Sequence, residues 1–153
     1  MLLGNLIDCC ALCAVAALRS FKKPDVTVLG KIVTVHSRSE KPATPLALRH
    51  FPIATSFALF PDDAIAMDPS LSEELVCEGV ITISMNAAKE ICALQKAGGA
   101  AITKEKLREC IELAYKRTQS VVAYVDAVFA EVAAKPTGGE RKFATLPVGF
   151  ERT

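Results

Sequence analysis

Between Leu6 and Phe21 apolar residues recur every three or four positions with little polar relief: Leu6, Ile7, Cys10, Cys13, Ala14, Ala17, Leu18 and Phe21. This spacing predicts a helix, opened by Gly4 and Asn5, buried on most of its sides and ended before Pro24. The pattern then changes period. In "VTVLGKIVTVH" the β-branched residues Val26, Val28, Ile32, Val33 and Val35 bracket Gly30, which predicts a two-strand hairpin or a kinked ribbon bent at the glycine. Residues 37–52, with Pro42, Pro45, Pro52 and two serines, read as a connection.

Two further strands follow, "IATSFALF" and "AIAMD", about a Pro61-Asp62-Asp63 turn, because proline presets the backbone angle for the second turn position. "SLSEEL" gives one helical turn at most. "GVITISM" and "EICALQK" form the clearest hairpin, around Asn86-Ala87-Ala88, with Ile81, Ile83 and Met85 sharing a face. Gly98 and Gly99 break the pattern, and Thr103 is placed to cap what comes next. Leu107, Ile111, Ala114, Thr118, Val121, Val122, Val125, Val128, Phe129 and Val132 repeat at helical spacing, with Glu105, Arg108, Glu109, Lys116, Arg117 and Glu131 mostly on the other side. They predict one long amphipathic helix laid on a sheet.

The sum is an α+β domain over residues 1–134: a four- or five-stranded, mostly antiparallel sheet covered by a buried N-terminal helix and a long C-terminal helix. Residues 135–153, rich in Pro, Gly and dispersed charge, read as a flexible tail, in which Phe143, Leu146 and Phe150 are candidate anchors for a partner. No internal repeat or low-complexity tract is present.

Composition narrows the function. The chain has 153 residues, enough for one domain with a real core. Lys and Arg number 18 against 17 Asp and Glu, so no global charge steers the surface toward nucleic acid or an anionic membrane, and any RNA contact must be local. With 51% hydrophobic and 23% charged residues the chain is not of the disordered class. "MLLGNLIDCCALCAVAAL" lacks a basic residue before its apolar run and carries Asp8 inside it, so it reads as a core helix and not as a leader peptide. The run is also shorter than the ~20 apolar residues of a membrane span. Six cysteines, Cys9, Cys10, Cys13, Cys77, Cys92 and Cys110, read as reduced, partly buried thiols. The Cys10 to Cys13 C-x-x-C spacing leaves a redox or metal-binding protein as an alternative, but His36 and His50 are distant in sequence.

Nucleotide-binding, zinc-protease and serine-hydrolase motifs are absent, and Gly98-Gly99 alone marks a turn more often than a phosphate loop. The one chemical candidate is "MDPSLSEELVCEGVI", where Asp68, Glu73, Glu74 and Glu78 fall within eleven residues. Asp68 and Glu74 are candidates for one divalent cation, and oxygen-only ligands suit Mg2+. The competing reading makes Asp68 a cap that accepts the amides of Ser70 or Leu71, with the glutamates solvated.

Several phrases together resemble a known family: "GNLIDCCALCAVAAL" (4–18), "RSFKKPDVTV" (19–28), "TPLALRHFPIATSFALF" (44–60), "DPSLSEELVCEGVITISMN" (68–86) and "EICALQKAGG" (90–99). From about Gly4 to Ala134 the chain is similar to the C-terminal part of the ribonuclease PH-like domain, and most of all to the non-catalytic ring subunits of the eukaryotic RNA exosome. The resemblance implies a structural subunit in a hexameric ring with other ribonuclease PH-like exosome subunits. Such a subunit meets RNA within that complex, supports 3′ to 5′ RNA processing including rRNA maturation, and resides in nucleus, nucleolus and cytoplasm without a membrane. In active members a second aspartate follows six residues after the one matching Asp68. Here Glu74 stands at that offset with Pro69 between, so Asp68 and Glu74 form a degenerate acidic pair, with no catalytic residue, no metal and no cofactor expected. The extra methylene of Glu74 shifts its carboxylate on the scale that costs misplaced catalytic groups much of their rate. The alternative is a phosphate-dependent 3′ to 5′ exoribonuclease in which the pair still holds Mg2+. The family's phosphate-binding Gly-Thr-Arg segment and most of its RNA-contacting arginines belong to a preceding half-domain, so the RNA-contacting residues here are unassigned. Arg19, Lys22, Lys23, Arg38, Lys41 and Arg49 make this third of the chain locally basic. Without that half-domain the apolar N-terminal helix implies a chain that self-associates or is poorly soluble.

Overall fold

A computed structural model describes residues 4–37 and 39–134, so Arg38 and the tail anchors Phe143, Leu146 and Phe150 lie outside the described residues. Helix α1 (Leu6–Ser20) leads into strand β1 (Lys22–Lys23), the hairpin β2 (Val26–Leu29) and β3 (Ile32–Val35), and β4 (Thr44–Pro45). Then come β5 (Ile53–Leu59), a 3-10 turn (Pro61–Asp63), β6 (Ile65–Met67), α2 (Leu71–Val76), β7 (Gly79–Met85), β8 (Ile91–Gln95) and α3 (Lys104–Ala134).

The main sheet has the antiparallel order β6-β5-β7-β8. Its middle strands explain its stability. β5 and β7 pair from Ile53 with Met85 to Leu59 with Gly79, so Phe57 lies opposite Ile81 and Thr55 opposite Ile83. Side chains alternate across a strand, and one face of this pair is large and apolar: Phe57, Leu59, Ile81, Ile83 and Met85 are buried together with Cys110 and Ala114 of α3. The buried α3 residues Cys110, Ala114 and Thr118 are four apart, the spacing that keeps one stripe of a helix on a surface. The other face is small, with Ala54, Ser56 and Ala58 beside Val80, Thr82 and Ser84, and Ser56 on it binds Asp8 of α1. Two helical layers thus enclose the sheet. They also meet directly: Arg19 of α1 pairs with Asp126 of α3 and lies over the rings of Phe51 and Phe129.

The expected architecture is present, with four strands in the main sheet. Thr103 caps α3 by accepting the Lys106 amide at 3.2 Å. Three expectations need correction. No residue of α1 is buried, because its Asp8 side is the one covered and Leu6, Ile7, Leu18 and Phe21 are exposed. The β2 and β3 hairpin forms as the β-branched pattern predicts, but as a separate two-stranded sheet with every large apolar residue exposed. Within the 37–52 connection, Thr44–Pro45 pairs with Lys22–Lys23.

Phe57 is fully buried where β5, β7 and α3 converge. Phe57→Ala is expected to cost roughly 3–5 kcal/mol in urea unfolding, through lost burial and the cavity left behind. A loss below ~1 kcal/mol would show that this cluster is not the core.

Candidate functional site

The acidic segment follows the last rung of a ladder. β6 pairs with β5 through Leu59 with Ile65, Ala58 with Ala66 and Phe57 with Met67, which puts Asp68 opposite Ser56. The rung is half made: the Asp68 amide donates to the Ser56 carbonyl at 3.0 Å, but Asp68 has φ of 60° and turns the chain out of the sheet. The Ser56 N–H is left without its strand partner. Asp8, reaching from α1, replaces it, accepting the Ser56 N–H at 2.8 Å on Oδ2 and the Ser56 hydroxyl at 2.7 Å on Oδ1. With its proton given to Asp8, Ser56 Oγ accepts from the Thr82 hydroxyl 2.8 Å away.

Asn5 ties this rung to the acidic turn. It is 8% exposed and left-handed at φ 46°, ψ 48°. Its backbone N–H donates to Glu74 Oε1 at 2.8 Å, and its amide hydrogens go to Asp8 Oδ2 at 2.9 Å and to Asp68 Oδ1. The amide orientation is fixed by charge, since the reverse would aim a carbonyl oxygen at two carboxylates. Gly4, at φ 97°, lies so close to Ser70 and Leu71 that any Cβ would strike their backbone. Glycine here combines close approach with a conformation other residues rarely take.

The structure therefore brings Asp68 and Glu74 to one junction, on different atoms of Asn5, together with Asp8, which the sequence reading treated only as a charge inside an apolar run. The signal for Asp8 was that very charge: a carboxylate amid apolar residues needs partners. Asp68 is not the cap of the turn. Ser70 is, through a capping box in which its Oγ accepts the Glu73 amide at 3.4 Å and Glu73 Oε2 accepts the Ser70 N–H at 2.7 Å. The S-x-x-E spacing carried that information. The Ser70 N–H, and then the Ser70 hydroxyl donating to the same Glu73 Oε2 at 2.8 Å, hold the Glu73 carboxyl below its usual value.

Asn5 presents hydrogens, not oxygen, to Asp68 and Asp8, and among the described residues no group of three or more His, Cys, Asp or Glu is arranged to hold a metal ion. Beside the junction a cleft of about 290 Å³ is lined by Asn5, Asp8, Ala54, Asp68 and Arg117. The basic residues of the first third of the chain do not gather there: Arg19 pairs with Asp126, Lys41 with Asp25, Lys22 and Lys23 lie on β1 and Arg49 lines a separate cleft with His50 and Asn86.

The described cysteines are all free. Cys9, Cys10, Cys13 and Cys92 are exposed, contrary to the partly buried expectation, because the outer side of α1 and the edge strand are uncovered. Cys110 is buried, which raises its thiol above the usual value and keeps it unreactive. His36 hydrogen-bonds Thr27 at 2.7 Å and His50 lies by Glu90 and Asn86, each apart from the C-x-x-C.

This α+β arrangement is that of a ribonuclease PH-type C-terminal domain, and residues 50–117 match the family described as "3' exoribonuclease family, domain 2". The chain carries that domain. It is 36% identical over 129 residues to exosome complex component rrp45 of Schizosaccharomyces pombe, covering 84% of this chain and 44% of that protein. It is 34% identical over 143 residues to exosome complex component RRP45 of Homo sapiens, covering 92% of this chain and 33% of that one. The chain thus spans less than half the length of these relatives. Among solved structures, the fold is shared with "Archaeal exosome core" (TM-score 0.65, 23% identity, 81% of this chain and 46% of that one). It is shared also with "archaeoglobus fulgidus exosome with RNA bound to the active site" (TM-score 0.63, 22% identity, 80% and 44%).

Two outcomes follow from the junction. Asp8→Ala is expected to lower stability by roughly 2–4 kcal/mol, more than Asp68→Ala, because it strands a backbone N–H as well as a hydroxyl. Equal losses in urea unfolding would contradict the rung-replacing role. For Glu73, whose carboxyl is lowered on folding, the cap is at full strength above the ordinary glutamate value and fades as pH falls through the lowered one. An NMR acid titration should show the Ser70 amide proton resonance shifting in that window as its bond to Glu73 weakens, and a flat profile would deny the capping box.

Proposed function

We propose that this chain is part of a non-catalytic, ribonuclease PH-like subunit of an RNA exosome ring. In this reading it neighbours other ribonuclease PH-like subunits in a hexamer and shapes the path of RNA toward 3′ to 5′ processing and degradation, rRNA maturation included, in nucleus, nucleolus and cytoplasm. The observation that carries it is the junction itself. One oxygen of each carboxylate of the degenerate pair is engaged within the chain: Asp68 Oδ1 holds the Asn5 side-chain amide and Glu74 Oε1 the Asn5 backbone N–H. Each bond ties a carboxylate to the start of α1, which supports a role as a joint between elements. The names of the relatives support the assembly, and the fold shared with the archaeal exosome supports the architecture. No helix among the described residues is long and apolar enough to cross a membrane.

The rival is a phosphorolytic exoribonuclease with Mg2+ on Asp68 and Glu74, and one assay separates the two. With RNA, phosphate and Mg2+ saturating, the chain is expected to release no nucleoside diphosphate, and Mg2+ is expected to leave its melting temperature unchanged. Release that Asp68→Asn abolishes would establish the rival instead. Affinity purification of the protein from its own cells, with its partners identified by mass spectrometry, tests the ring: recovery without other ribonuclease PH-like subunits would refute it.

A further inference from the structure

Toward the C-terminal end of α1, away from the Asp8 junction, α1 and α3 leave an apolar cleft between them. It measures about 210 Å³ and is walled by Val15 of α1, Phe51 and Ile53 at the entry to β5, and Val122 and Val125 of α3. The ion pair of Arg19 and Asp126 borders it. Arg19 also lies over the rings of Phe51 and Phe129, which holds that border in place. An apolar cavity of ~150 Å³ takes a benzene molecule, so this cleft has room for a phenyl side chain.

The chain supplies one nearby. After α3 ends at Ala134 the sequence continues "KPTGGERKFATLPVGFERT". Pro136 bars the helix from running on, since it has no N–H to donate and disfavours helical backbone in the residue before it. Gly138 and Gly139 accept the positive φ of a sharp reversal. Reach then decides which residue arrives at the cleft. From Ala134 back to Val125 is about 13.5 Å, at a rise of ~1.5 Å per helical residue. From Gly139 on to Phe143 is also about 13 Å, at ~3.3 Å per extended residue. A chain that leaves α3, turns at the glycines and runs back beside the helix therefore brings Phe143 level with the cleft. Leu146 and Phe150 overshoot it unless slack is looped out, at a cost in closure entropy. Charge agrees: from Gln119 to Ala134, α3 carries Asp126 and Glu131 and no base, whereas residues 135–142 carry Lys135, Arg141 and Lys142 against Glu140 alone.

We propose that residues 135–143 fold back along α3 and seat the Phe143 ring in this cleft of the same molecule. A segment tethered so close has an effective concentration of millimolar order, which a second copy in dilute solution does not match. Seated there, Phe143 joins α1 to α3 by burial, beside the ion pair that already joins them by charge. The proposal concerns the chain's own packing and is independent of the exosome reading.

Trypsin, which cuts after Arg141 and Lys142, reads the docking directly. In the full 153-residue chain these cuts are expected about tenfold more slowly than in the free peptide of residues 135–153. Phe143→Ser, judged against its own free peptide, should lose the protection, and Phe150→Ser should keep it. Val122→Trp, which fills the cleft, should release the tail without altering its sequence, and should it fail to fold the Phe143 results decide alone. With p-benzoylphenylalanine in place of Phe143, irradiation should cross-link position 143 to Val15, Val122 or Val125 within one copy, seen by mass spectrometry as a modified monomer. Cutting as fast as in the free peptide, protection that survives Phe143→Ser or a folded Val122→Trp, protection that rises with protein concentration, or cross-links confined to other residues or to a second copy overturns the proposal.

Discussion

One missing rung governs this fold. β6 stops pairing when Asp68 turns left-handed, and the Ser56 N–H, in a buried setting, must find another acceptor. An unmet backbone donor away from water costs about as much as several favourable contacts return. Asp8 supplies the acceptor, and in doing so it fixes the axial position and rotation of α1 against β5. Asn5 is then carried to Asp68 and Glu74, and Gly4 against Ser70 and Leu71. A sheet edge, a helix start and an acidic turn are thereby joined by side chains each serving more than one partner.

The sheet divides its labour by side-chain size. Its large face, around Phe57, Ile81 and Ile83, holds α3 by burial; its small face lets α1 come near enough for Asp8 to reach Ser56 with both oxygens. The two modes differ in what they tolerate. Burial is non-directional and accepts exchange of one aliphatic residue for another of like volume, whereas the Asp8 bonds require one length and one charge. Carboxylates that look catalytic in sequence act in this structure as joints between elements, which is the physical content of the proposed non-catalytic role.

Elements with a dominant local signal were legible. The helical stripe from Leu107 to Val132 and the hairpin about Asn86 form what their periodicity predicts, because alternation and 3.6-residue spacing report a buried face directly, while the valines around Gly30 form their hairpin with no face buried. The acidic segment was read less well. Asp68 as a cap and Asp68 with Glu74 as cation ligands both assume partners close in sequence, while the bonds that form reach across 63 and 69 residues to Asn5. Ser70 as the true cap was within reach of the S-x-x-E pattern. Asp8 was not, since its target is a backbone N–H exposed only by where β6 ends.

By itself, then, the sequence determined the α+β class, the order of the elements, the apolar stripe of α3 and the kinship with ribonuclease PH-like domains, all of which depend on local period or on runs of residues. Tertiary structure alone decided that α1 is covered on its Asp8 side only, that the β2 and β3 hairpin stands apart from the main sheet, and that the acidic turn is a joint. The reason is physical: periodicity tells a residue which way to face, but only the packed chain determines what, if anything, is there to meet it.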